Sequence, residues 1–199
     1  MKSRTKLIQI LSVVGLLGGL AATISIIIVG DTFGLPGSAS YRIYENFNRL
    51  MAILIALETC AMIGFYFQQK DVFGNIERTA LLIALIAWIG MAAGTVAEFW
   101  LYSDLPYGED NLRNTAFSIF SISSLVAGLA LLALGMRTLI RRQLPRYYSI
   151  VLILYLPIDI ALFVTGQSIF LTSALVVILI AGLTLRSSSA LAASSQEAT

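Results

Sequence analysis

Histidine is absent from the 199 residues, and cysteine occurs once, at Cys60. Without histidine the chain cannot build a His-ligated haem, the usual zinc and di-iron sites, or a Ser-His or Cys-His nucleophile pair. A single cysteine excludes an internal disulfide and a thiolate metal cluster. Cys60 lies inside an apolar run, where a small sulfur side chain reads as core packing. No P-loop, dinucleotide fingerprint, nucleophile elbow or metal-ligand spacing occurs, so no cofactor and no metal are expected and catalysis has no positive support.

Charge is also scarce. Charged residues make up 12% of the chain, against about a quarter in soluble domains. The formal net charge of +2 is too small to point to nucleic acid. What fills the space is apolar: 58% of residues are hydrophobic and the mean hydropathy is +0.86. A bilayer is the solvent that fits this composition, and six apolar runs use nearly the whole chain. The expected fold is all-α, a polytopic six-helix transmembrane bundle forming a single domain over residues 1–186. Its crossings are expected near 7–29, 50–67, 80–102, 115–139, 147–164 and 169–185, with residues 187–199 a Ser- and Ala-rich disordered tail.

The first run follows Lys2, Arg4 and Lys6. It is about twice the length of a signal-peptide apolar region and passes the small residues Ala21 and Ala22, so it reads as a retained helix. Gly34, Pro36 and Gly37 break the first connection, Ser38 or Ser40 is a candidate cap, and Tyr41, Tyr44 and Phe47 form an interfacial lead-in to the second crossing. The third run is the organising one: Ala84, Ala87, Gly90, Gly94, Ala97 and Glu98 recur at three- and four-residue spacing, a small-residue stripe suited to close packing. Asp110 is a candidate N-cap for the fourth helix, Pro145 its terminator, Pro157 an interruption of the fifth, and Gly166 a tight turn into the sixth. Trp100, Tyr102, Tyr107, Tyr147 and Tyr148 mark membrane interfaces, whereas Trp88 falls at mid-depth and reads as core.

Ten of the 13 basic residues fall on the side of the two termini, against Arg42, Arg49 and Arg113 on the other. The positive-inside rule therefore puts both termini in the cytoplasm, with a bacterial plasma membrane as the expected location. Arg137, Arg141, Arg142 and Arg146 form a cluster expected to contact anionic lipid.

Polar residues inside the crossings concentrate toward the outer side: Glu58 near mid-depth, Glu98 and Asp159 nearer the surface, Ser118, Ser121 and Thr172 in outer halves, and Tyr155 one turn before Asp159 on the same face. An intramembrane charge costs at least about 2.5 to 3.5 kcal/mol, so these acids should not face lipid. Two readings are open for each. They line an outward-facing pocket for a proton, a cation or a cationic solute, or they are structural, with Glu98 paired to Arg113, Asp159 bonded to Tyr155 or a nearby hydroxyl, and Arg49 as another charge partner. For the whole protein the matching functions are a small membrane protein that binds or moves a small solute or ion, or a non-catalytic subunit or homo-oligomer packing on membrane partners through glycine faces. The Pro157 break has no counterpart at Glu58 in the second helix, which weighs against an inverted-repeat transporter.

Overall fold

The computed structural model describes residues 2–29, 39–106, 111–165 and 170–197. These form α1 (Lys2–Val29), α2 (Ala39–Gln69), α3 (Asn75–Val96), α4 (Leu112–Arg141), α5 (Arg146–Val164) and α6 (Phe170–Glu197). A wider π-helical turn, Ala97–Leu101, extends α3. No strand occurs among the described residues. All six helices are long and apolar enough to cross a membrane. Residues such as Ile28, Ile86, Ile122 and Phe163 face outward from the bundle, as a lipid-facing surface requires.

Helix ends differ in places from what the sequence suggests. The N-cap of α4 is Asn111, whose side-chain oxygen accepts from the Asn114 amide at 2.9 Å; Asp110 lies outside the described residues, as do Gly30 to Ser38, Tyr107 and Gly166. Pro145 does not end α4. The helix stops at Arg142, which takes left-handed geometry (φ 53°) and returns its amide to the Thr138 carbonyl, while Pro145 opens α5. A left-handed residue releases the last turn without any help from proline. Nor does Pro157 break α5, which stays helical from Arg146 to Val164. Neighbouring helices hold a proline-containing span together where an isolated helix would kink. At the other extreme α6 continues past Arg186 to Glu197, through alanines and a leucine that favour helix.

The helices stand in a ring in chain order, each beside the next and α6 back against α1, with α2 also touching α6. Ends meet in register: Arg4 near the start of α1 bridges to Asp71 just after α2 at 2.7 Å, and Gln68 of α2 donates to the Thr184 carbonyl of α6 at 3.1 Å. The Arg4 hydrogen bond holds the exposed Asp71 carboxyl below its usual range. Trp88 of α3 and Tyr155 of α5, both buried, reach across the ring with centroids 6.0 Å apart. The small-residue stripe of α3 is spent inside the chain. A methyl on Gly94 would lie 2.6 Å from the Phe120 amide nitrogen and 2.9 Å from the Ala116 carbonyl of α4, and Gly90 faces Ser123. Gly15 and Gly18 of α1 meet α2 in the same way.

This close approach is testable by thermal unfolding in detergent. Gly94→Val is expected to cost about 1 to 3 kcal/mol through overpacking against α4 backbone. Gly182, with nothing within 4 Å of an added methyl, is the control: Gly182→Ala should be neutral or stabilise by up to about 1 kcal/mol.

Candidate functional site

The ring brings several intramembrane polar side chains into one buried cluster. Glu58 of α2 is 1% exposed, and the Trp88 indole of α3 and the Ser173 hydroxyl of α6 lie beside its carboxyl. Tyr155 of α5 faces Glu58, Asp159 and Ser124. Asp159 accepts from Ser124 of α4 at 3.3 Å through Oδ2 and from Thr172 of α6 through Oδ1. Five helices thus contribute to one spot. Spacing explains the convergence on α5, where Tyr155 and Asp159 are four residues apart and share a face.

The two acids differ in how they are held. Both oxygens of Asp159 have hydroxyl donors. By contrast, Glu58 Oε2, Trp88 Nε1 and the Tyr155 hydroxyl are buried and make no hydrogen bond of normal geometry among the described residues, although the Trp88 indole and Ser173 hydroxyl approach Glu58 and the Ser124 hydroxyl approaches Tyr155. The Ser173 hydroxyl is turned to the Phe170 carbonyl of its own helix at 2.8 Å. An unmade bond on a buried polar group costs about 1 to 3 kcal/mol, so three around one point form a feature that needs a reason. Chemically the cluster offers one spare acceptor and two spare donors within a carboxyl-rich core.

The remaining residues singled out from sequence lie elsewhere. Glu98 is buried in the π turn beyond α3, about 15 Å further along the helix axis than Trp88. Ser118 and Ser121 of α4 give their hydroxyls to their own helix, at the Asn114 and Phe117 carbonyls, each at 2.9 Å. Arg49 meets Glu45 one turn away at 3.3 Å and donates to the Phe99 carbonyl at 2.9 Å. Arg113 donates to the Ser103 and Leu105 carbonyls at 2.8 and 2.9 Å, and its guanidinium lies over the Phe99 ring. Both arginines thereby fasten the end of α3 and the loop after it.

Two contributors were not singled out from sequence. Ser124, one turn past Ser121, is the α4 hydroxyl that reaches Asp159; the run Ser121, Ser123, Ser124 carried the signal, but not the face. Glu77, near the start of α3, is fully buried and receives Arg137 and Arg141 of α4 at 3.2 and 3.3 Å. The four-residue spacing of those arginines was the sequence signal for a shared acidic partner. Against protein families, characterised proteins and solved structures, the chain has no match.

The Glu77 clamp should respond asymmetrically. Glu77→Gln frees two half-exposed arginines that water can still reach, at a cost of about 1 to 2 kcal/mol. Removing both cations together, Arg137→Gln with Arg141→Gln, strands a buried carboxylate and should cost about 3 to 5 kcal/mol. Unfolding midpoints of the two variants in one detergent would order them.

Proposed function

We propose that this chain is a multi-pass membrane protein that binds a small monovalent cation, inorganic or a protonated amine, in the Glu58 cluster and moves it across the bilayer. The observation that carries the reading is the convergence beside Asp159 of Glu58 Oε2, Trp88 Nε1 and the Tyr155 hydroxyl, all buried and none with a hydrogen bond of normal geometry among the described residues. The carboxyls attract the positive charge, the Trp88 and Tyr155 rings present π faces to it, and their N–H and O–H groups serve an oxygen on the solute or its hydration water. In this reading Asp159, nearer the helix end and tied by two hydroxyls, is the entry-side acid, and Glu58 is the deep one. Both termini are cytoplasmic and the cluster opens outward, following the basic-residue asymmetry. A bacterial plasma membrane is the proposed location.

A subunit role through glycine faces has less support. Gly15, Gly18, Gly90 and Gly94 already face neighbouring helices of the same chain, so a partner using them would have to displace a contact that exists.

Proteoliposomes loaded against a potassium gradient test the activity with radiolabelled sodium and methylammonium as probes. Uptake of one of them should exceed that of protein-free vesicles and fall to background in the Glu58→Gln, Asp159→Asn double variant. Uptake unchanged in that variant sinks the reading. Tyr155→Phe adds a second readout: removing an unpartnered hydroxyl should leave stability equal or raise it by about 1 kcal/mol, while binding weakens. Orientation is checked separately by phosphatase and fluorescent-protein fusions after Thr199, where only the fluorescent fusion should be active.

A further inference from the structure

On the outer face of the α3–α4 pair, away from the Glu58 cluster, runs an apolar groove. Its floor and walls include Asn75, Thr79, Ala80 and Ile83 of α3 with Ala130 and Ala133 of α4. The groove is lined by small alanine side chains from both helices, whereas further along Gly90 and Gly94 bring α3 and α4 into close contact. Its polar residues, Asn75 and Thr79, sit at one end, and the rest is hydrocarbon. Along α3 it extends from Asn75 to Ile83, about 12 Å, and along α4 from Val126 to Ala133, about 10 Å. One leaflet of a bilayer core is about 15 Å deep, so the groove has the length of an acyl chain reaching from headgroup level toward the midplane.

Its polar end is also its charged end. Arg78 donates to the Asn75 side-chain oxygen at 3.0 Å, which puts a guanidinium at the mouth. Arg137 stands one turn beyond the groove residue Ala133, and Arg141 one turn beyond that. Both arginines meet Glu77 through Nε, and their terminal amino groups have no acceptor among the described residues and can therefore serve a headgroup. One carboxylate facing two guanidinium groups leaves surplus positive charge, and Arg78 adds to it. Guanidinium forks match phosphate oxygens better than any other side chain does.

We propose that this groove is a binding site for one anionic phospholipid of the leaflet on the Glu77 side, its acyl chain between α3 and α4 and its phosphate among Arg78, Arg137 and Arg141. The site is independent of the cation reading. It also gives the buried Glu77 a role, since the carboxylate fixes two long side chains in place for the headgroup.

Native mass spectrometry of the detergent-purified chain tests it, with palmitoyl-oleoyl phosphatidylglycerol and the phosphatidylcholine of the same chains as probes. The wild-type protein should retain phosphatidylglycerol with about fivefold preference, the effect of a basic side chain at an anionic headgroup. Ala133→Phe, which fills the groove, should lower retention of both lipids, and Arg78→Gln should erode the preference while leaving phosphatidylcholine retention as it was. Equal retention of the two lipids by the wild type overturns the proposal. So does phosphatidylglycerol binding that survives Ala133→Phe in protein with an unchanged lipid-free unfolding temperature. Where Ala133→Phe lowers that temperature, the exposed Arg78→Gln variant decides alone, and an unchanged preference overturns the site.

Discussion

The structure depends on one constraint: inside a bilayer a polar side chain must find its partner within the protein. Few such groups occur here, and the helix arrangement is organised by where they go. Glu58 and Asp159 point into the ring, Glu77 is enclosed between α3 and α4, and most arginines stay at helix ends. Apolar surface cannot supply this ordering, because a leucine is as comfortable against a lipid tail as against another leucine. The polar groups therefore set the rotation of each helix, and small residues set the spacing.

The α3–α4 pair shows both effects on one interface. At the Gly94 end the two backbones approach until a single methyl would strike the Phe120 amide. At the Glu77 end the separation is that of an ion pair with two long arginine side chains. Two helices in close backbone contact at one end and joined through long arginine side chains at the other leave a furrow between these two contacts. The alanines at 80, 130 and 133 leave it unfilled. On the opposite face of the same helix Trp88 turns inward to Tyr155. One helix thus presents glycine to its neighbour, an aromatic side chain to the core and a groove to the outside of the bundle, which is why a stripe visible in its sequence organises so much.

What the sequence made legible follows from that physics. Six spans are readable because hydrocarbon thickness fixes length and composition, and the stripe from Ala84 to Gly94 because close packing repeats with the helix. Pairing across helices is not readable in the same way. Tyr155 and Asp159 share a face by spacing alone, but whether Ser121 or Ser124 meets Asp159 depends on a rotation of α4 set by its contacts with α3 and α5. Ser118 and Ser121 needed no distant partner, because a helix carbonyl one turn back serves a serine hydroxyl. Glu77 was hidden by its place in a charged segment, where an acid near a helix start reads as a solvated end. The stop of α4 at Arg142 was hidden by Pro145, whose helix-breaking character is the stronger local signal.

The two acids of the central cluster then separate by their environments and not by their type. Asp159 has a hydroxyl for each oxygen, so its position is overdetermined and it contributes to holding α4, α5 and α6 together. Glu58 sits deeper, between Trp88 and Ser173, and its Oε2 receives no hydrogen bond of normal geometry among the described residues. A protein selected only for packing would gain by replacing Glu58, Trp88 and Tyr155 with apolar side chains of the same shape, since each unpartnered polar atom costs stability and contributes nothing to cohesion. Their joint presence around one point is hard to explain as three separate defects, because each projects from a different helix toward the same place. In the cation reading proposed above, the bound solute would make the missing bonds, with Asp159 the fixed end of the site and Glu58 the end that responds.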